Sequence, residues 1–533
     1  MGSGALGPGR RRPLVSRSHS HLPNRLSSAM RSTAGLWLVL SLALTAVADE
    51  TDSGYAVSLA VNNPRAHTDT DVKVRIQDAA GLPLTGAGVN GWFNVHPPNT
   101  PPLDRDKCVQ RIATYTAGGL FRQPAVDLNV YHVVVLNEDA TLSVLDPKFS
   151  FGGTRLLAMV QLPSSGTDWV LTRDGRHLFV AMPEAGQVAV VDTVEWKVAT
   201  NLETGRGSNR LLMQPDEGYI WVASDDGVAA IDPSKKKIAK RIVTAAGPHD
   251  LALSSDQRTL FVTNAGAGTT SVIDVHAMRV VRTIATGTRP VSVAWSSLAN
   301  AAYVISERDG AVFALDAKQS KPRATIQSVI GTTRIRFAPG GRLGFIVNPG
   351  KNSVYILDTV VNKVVQTAVV ESKPFEVTFS ESLAYVRHLE SETVLMIPLG
   401  VAGTPGAQVT VADFPGGQRG FGATGVAPIA ADGIVGTPGG DAVLVTNPSD
   451  KQIYFYKQGM AAPMGSLSAY SHVPRATLVI DRTLRETKPG HYETVAKMPK
   501  PGLYDVAVFV DSPRIVTCFQ VKVEEPAKAL PAP

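Results

Sequence analysis

The sequence is short of the motifs that announce chemistry. It has no Cys-x-x-Cys-His run for covalent haem c, no His-Glu-x-x-His for zinc and no Gly-x-Ser-x-Gly nucleophile elbow. Two cysteines are all it holds in 533 residues. Acidic residues are missing from positions 1–48, which carry six arginines (Arg10, Arg11, Arg12, Arg17, Arg25 and Arg31). The formal charge of +6 is therefore the charge of that leader, and the rest is neutral, so no surface for nucleic acid is implied. Beyond the leader no segment is long and apolar enough for a membrane helix.

The leader reads as a secretion signal. Arg31 precedes a short apolar run over 35–44, and Ala46-Val47-Ala48 is a small-x-small cleavage site. Cleavage after Ala48 is expected, releasing a soluble periplasmic chain. Met30 offers a second start just before this signal, and the arginines near Arg10 stand far from the apolar run that a twin-arginine signal would need beside them.

What the chain does have is repetition. An apolar strand, a turn and a second strand ending in Asp recur, as in Leu260-Phe261-Val262-Thr263-Asn264 followed by Ser271-Val272-Ile273-Asp274. The strand-ending aspartates are Asp146, Asp192, Asp232, Asp274, Asp316 and Asp358, spaced by 46, 40, 42, 42 and 42 residues. Further copies carry Pro398 and Tyr456 at that place. A period near forty with several short strands per unit predicts the blades of a β-propeller. The repeated Asp is read as a turn residue whose carboxylate accepts from backbone N–H groups, not as a catalyst.

The Leu-Phe-Val-Thr-Asn and Val-Leu-Val-Thr-Asn strands with Ser-Val-Ile-Asp downstream resemble the YVTN-type propeller repeats, over roughly residues 128–460. They also resemble the haem d1 propeller of cytochrome cd1 nitrite reductase, a resemblance that implies eight blades and makes a propeller histidine a haem ligand. The count reaches eight only if the divergent last copy is a true blade; seven blades plus an insertion is the alternative. The resemblance defines a fold and not a function.

The domain plan is a leader over 1–48, half a sandwich over 49–117, the propeller over 118–460, the other half over 461–525 and a tail over 526–533. The flanks each show three or four strand-like segments, including Ala476–Ile480, and a closed propeller brings its ends together. They are expected to form one immunoglobulin-like β-sandwich. Cys108 and Cys518 lie one in each flank, so a disulfide is expected in an oxidising compartment, with free thiols or a metal ligand as alternatives.

Three sets of residues could hold a ligand. Aligning the starts of the inner strands places Asp168, Arg210, His249, Val291, Arg334 and Phe375 at one level, with Arg289 and Lys373 two positions before Val291 and Phe375. Arg210, His249, Arg289, Arg334 and Lys373 would crown the channel mouth and attract an anion; solvated loop charges are the bland reading. His249 is the haem-ligand candidate, beside His132, His177, His276 and His388 elsewhere in the repeats. Met460 and Met464 with His472, in the same flank as Cys518, would suit copper, or serve as packing. Gly420-Phe421-Gly422-Ala423-Thr424-Gly425 matches a dinucleotide fingerprint in letters only; without a βαβ context it reads as the loop joining the last two repeats. The expected function is an exported, non-catalytic binding or assembly protein for a small anionic ligand, a cofactor or a periplasmic redox partner. A haem d1-like or metal-dependent oxidoreductase and a structural surface propeller are the alternatives.

Overall fold

The computed structural model describes residues 45–116, 124–150 and 153–525. The basic and apolar parts of the leader and the tail over 526–533 lie outside the described residues. Among those described, no helix is long and apolar enough to cross a membrane.

Each repeat folds as a sheet of four antiparallel strands, and eight such sheets follow one another, here numbered 1 to 8. Sheets 2 to 6 cover 168–203, 210–242, 248–285, 290–327 and 334–369; sheets 7 and 8 cover 374–415 and 434–468. Sheet 1 joins Tyr131–Asn137, Thr141–Ser150 and Gly153–Gln161 to a strand from far along the chain, Pro474–Asp481.

Strand order follows composition. The second and third strands of a sheet are continuous apolar runs, such as Leu260-Phe261-Val262 and Val272-Ile273 in sheet 4, buried on both faces. Alternate side chains serve opposite neighbours. Leu260 and Val262 pack toward sheet 3 with Trp221 and Val228, whereas Phe261 packs toward sheet 5 with Ala302 and Val304. The fourth strand, such as Lys197–Glu203, exposes every second residue and forms the outer edge. Eight apolar clusters repeat this arrangement, each shared by two successive sheets, the last by sheets 8 and 1.

Two polar side chains punctuate the repeat. The aspartate ending the third strand caps the turn that follows: Asp192 accepts from the N–H groups of Val194 and Glu195, Asp274 from Ala277 and Asp358 from Val360. The asparagine ending the second strand bridges its hairpin, with Asn264 donating to Thr269 and Ser271 and Asn137 to Thr141 and Ser143. The repeat's most legible letters are therefore turn chemistry.

The flanks build two more sheets, each from both ends of the chain. One runs in the order Thr45–Asp52, Tyr55–Asn62, Asp69–Asp78, His491–Lys497, Arg485–Lys488; the other runs Ile515–Val523, Gly502–Val510, Val89–Val95, Val126–Asp127. They share one core, with Val57, Leu59 and Val74 from the first and Phe93, Val506 and Phe519 from the second. The strand holding Ala476–Ile480, assigned to this region from its sequence, instead pairs with Tyr131–Asn137 and buries Ala476 and Ile480 between sheets 1 and 2. Its apolar pattern suits a sandwich and a propeller equally, and only the pairing decides. The expected cleavage point after Ala48 falls within Thr45–Asp52, which pairs along its length with Tyr55–Asn62. The helix Arg105–Thr116 lies against the second flank sheet, joined to it by a Cys108–Cys518 disulfide.

Candidate functional site

The inner strand of each sheet lines the ring's opening, and its first residues decide what the opening contains. Strand pairing aligns Asp168, Arg210 and Arg334 with Asp250, Ser292 and Glu376. The sequence alignment had His249, Val291 and Phe375 at these places. It missed one bulged residue after each of Pro248, Pro290 and Pro374, where the register shifts. Two of the six levels thereby become acidic, with Asp250 and Glu376 in place of His249 and Phe375, while Ser292 in place of Val291 leaves the charge unchanged.

The aligned side chains form a belt between sheets. Asp168 Oδ2 accepts from the Leu211 N–H at 2.8 Å, Asp250 Oδ2 from the Val293 N–H at 3.0 Å and Ser292 Oγ from the Ile335 N–H at 3.3 Å. Arg210 lies between two carboxylates, with Nη1 3.0 Å from Asp168 Oδ2 and Nε 3.0 Å from Asp250 Oδ1. Burial works against its charge, but the carboxylates of Asp168, Asp250 and Asp432 prevail and hold its pKa above the ordinary value. Arg336 pairs with Asp432 at 2.6 Å.

The glycine-rich segment before sheet 8 crosses this opening. The N–H groups of Ala430 and Ala431 both donate to the Thr167 carbonyl at the head of sheet 2. On the far side, Arg334 of sheet 6 donates to the Ala430 carbonyl at 3.1 Å. Thr477 of sheet 1 donates its N–H to the Asp432 main-chain carbonyl, and Gly433 donates its own to the Glu376 carboxylate at 2.9 Å. The segment is thereby pinned across one mouth of the channel. From the other mouth a pocket of about 620 Å³ opens inward, lined by Arg210, Asp250, Arg334, Arg336 and Asp432, with Trp295, Phe337 and Phe379 at its outer end.

Among the described residues no carboxylate stands within ion-pair distance of Arg334, and its hydrogen bond goes to that main-chain oxygen. Burial, aided by the guanidinium groups of Arg336 and Arg210, pulls its pKa down to about 10, so the group stays charged at neutral pH. Asp432 and Glu376 oppose that shift without pairing with the group directly, and a half-buried guanidinium with no carboxylate in contact is open to an anion.

The rest of the expected crown is dispersed. Arg289 is half-exposed and pairs with Glu307 at 2.8 Å, and Lys373 pairs with Glu390. The side chain of His249 lies outside the described residues. His388 is buried and bonded to the Thr393 carbonyl of its own sheet, and half-buried His132 of sheet 1 faces Trp196 of sheet 2. No imidazole stands among the described residues that line the pocket. Nor are the proposed copper donors gathered. Met460 and Met464 are exposed, His472 is bonded to Asp139 at 2.6 Å beyond the strand Gly465–Ser468, and Cys518 is in the disulfide.

Burial pushes the pKa of both His132 and His388 down to about 4, with Arg482 and Arg387 respectively adding to the effect. Each is neutral when folded and near 6.5 when unfolded, so the unfolded chain binds more protons between those values. The urea midpoint is therefore expected to fall as pH drops from about 6.5 toward 4. Asn ends the second strand in four other sheets, and His388→Asn is expected to shrink that fall; a pH-independent midpoint would count against it.

The residues that sequence reasoning missed are Asp250, Glu376, Arg336 and Asp432. The signal for the first two was the proline that opens their strands, a residue that favours a bulge at a strand's start.

No family model matches the sequence, and no curated protein matches it. Solved structures do. AztD of Citrobacter koseri is 13% identical, covering 66% of this chain and 98% of that one, with a TM-score of 0.50. A protein of unknown function from Desulfotomaculum acetoxidans is 16% identical over 66% of this chain and 99% of that one, with a TM-score of 0.45. The β-propeller domain of Cps50 (Swd1) from Myceliophteria thermophila is 12% identical over 54% and 95%, with a TM-score of 0.39. At such identities the likeness is one of fold alone. The chain is an all-β protein built on a β-propeller.

Proposed function

We propose that the chain is an exported, non-catalytic binding protein whose channel takes a small anion at Arg334. The single observation that carries this reading is the Arg334 guanidinium, charged, largely enclosed and bonded only to the Ala430 carbonyl beside an open pocket. In the same reading the eight sheets are the blades of an eight-bladed propeller, and the two flank sheets form an immunoglobulin-like sandwich carried on its rim. The clusters shared from each sheet to the next support the ring, and the common core of Val57, Phe93 and Phe519 supports the sandwich.

A charge-assisted bond contributes about 1.5–3 kcal/mol. Arg334→Gln is therefore expected to weaken acetate binding tenfold or more in calorimetric titration, with the melting temperature of the free protein little changed. Equal affinity in both proteins would remove Arg334 as the anion site. Export is supported by the basic, then apolar, order of the leader and by a disulfide, which oxidising compartments favour. Amino-terminal sequencing of the protein recovered from a periplasmic fraction is expected to begin at Asp49. Recovery of the chain intact in the cytoplasm would overturn the export reading.

A further inference from the structure

The outer end of the pocket repeats one feature in three successive sheets. Three residues beyond Ser292, Arg334 and Glu376 stand Trp295, Phe337 and Phe379, where the preceding sheets carry Leu171, Met213 and Leu253. Each aromatic is partly exposed to the pocket and held in place from behind. Trp295 stacks on Phe261 at 5.8 Å and donates Nε1–H to Ser255 Oγ at 2.8 Å. Phe337 meets Tyr303 edge-on at 5.3 Å, and Phe379 meets Phe345 in the same way at 5.3 Å. An apolar arc with fixed rings thus follows the channel wall about 10 Å outward from Arg334, at the rise of a strand.

At the inner end the three guanidinium groups of Arg210, Arg334 and Arg336 balance the three carboxylates of Asp168, Asp250 and Asp432. Among them Arg334 is the cation with no carboxylate in direct contact, which leaves its N–H groups open to one carboxylate of a ligand. A dianion would meet the carboxylates of Asp250 and Asp432 that line the same space, a repulsion that selects against phosphate.

From these two ends we infer that the pocket takes an aromatic monocarboxylate, its acid group on Arg334 and its ring against Trp295, Phe337 and Phe379. This rests on the anion reading above and narrows it to one chemical class. The rings lose little freedom on binding because they are already pinned, and apolar area is buried only when the ligand carries a ring or a comparable apolar body. The site needs no metal, no oxidant and no covalent step.

The test is calorimetric titration of the full secreted chain with four probes: acetate, inorganic phosphate, 3-phenylpropionate and 3-phenylpropanol. Phenylpropionate is expected to bind at least tenfold more tightly than acetate, to quench tryptophan fluorescence, and to exceed phosphate by a similar factor. Arg334→Gln is expected to cost tenfold or more for phenylpropionate and to leave phenylpropanol unchanged. Phe337→Leu, which copies the residue at this level in sheet 4, is expected to lower phenylpropionate affinity several-fold and leave acetate unchanged. Circular dichroism melting confirms that both variants are folded. Equal binding of acetate and phenylpropionate would overturn the aromatic class while leaving the anion site standing. Tighter binding of phosphate would overturn the monoanion preference. Absence of binding by every probe, or identical titrations of wild type and Arg334→Gln, would overturn both readings together.

Discussion

Glu376→Ala is expected to cost about 3–5 kcal/mol of folding stability, among the largest losses available to a single substitution here. Glu376 and Arg387 form an ion pair at 2.9 Å with side chains 3% and 5% exposed. Glu376 also accepts the Gly433 N–H, and Arg387 donates to the Thr446 carbonyl, so the pair ties sheet 7 to sheet 8. The guanidinium lies over Phe421 at 4.7 Å and near Phe375 at 5.3 Å, which closes it off from water. Removing the carboxylate leaves that cation buried and uncompensated. Removing both charges as Glu376→Ala with Arg387→Leu is expected to cost less than the sum of the two single changes, because neither group is then left alone. Urea unfolding of the four proteins measures this directly; a loss below about 1 kcal/mol for Glu376→Ala would show the pair to be dispensable. Gly433 belongs to the same unit. A Cβ there would lie 1.7 Å from Arg387 Nη1, so this position accepts no side chain while the arginine keeps its place.

Breaking the Cys108–Cys518 bond, by reductant or as Cys518→Ser, is expected to destabilise the flanking domain by about 2–5 kcal/mol. The bond joins residues separated by 410 positions and attaches the helix Arg105–Thr116 to the sheet that contains Ile515–Val523. Around it the helix has a few other anchors: the ion pairs of Arg111 with buried Asp505 at 2.8 Å and of Arg105 with Asp52 at 2.7 Å, the ring contact of Trp92 with Tyr115 at 5.5 Å, and the burial of Ile112. Loss of the crosslink restores freedom to the unfolded chain and leaves the helix to those contacts. Urea unfolding followed by helix-region hydrogen exchange, with and without reductant, is the measurement. Unchanged midpoints and unchanged exchange over 105–116 would refute the role of the bond.

The parts of this molecule that were legible in the sequence are those written in local chemistry. Asp192, Asp274 and Asp358 mark the ends of third strands because a carboxylate at that place satisfies the turn's N–H groups, and that need recurs with every sheet. The alternation of Leu260, Phe261 and Val262 is legible for the same reason, since a strand between two neighbours must be apolar on both sides. What could not be read locally was partnership. The strand Pro474–Asp481 has an ordinary apolar pattern, and nothing in it says that its partner lies at Tyr131–Asn137. The site suffered from a smaller uncertainty with a larger effect. A single bulged residue moved the channel position from His249 to Asp250 and from Phe375 to Glu376, turning a belt read as basic into one of alternating charge. Arg289 and Lys373 were cationic in sequence, but each has a carboxylate beside it from the loop that follows the second strand of its sheet. Among the proposed cations whose side chains are described, Arg334 is the one that keeps its place in the channel without a direct ion pair.

The pairing of Pro474–Asp481 with Tyr131–Asn137 also sets a timetable. A chain delivered from its amino end can assemble sheets 2 to 8 from neighbouring strands as each emerges, because all their partners are close in sequence. Sheet 1 must wait, its edge at Tyr131–Asn137 bare, until nearly the whole chain has arrived. Such a waiting edge is a template for another molecule's strand, and long-range closure is slow. The vulnerable interval of this protein's life therefore falls between the delivery of its first ring strand and its last, and whatever shields the unfinished ring in that interval governs how much of the protein is made.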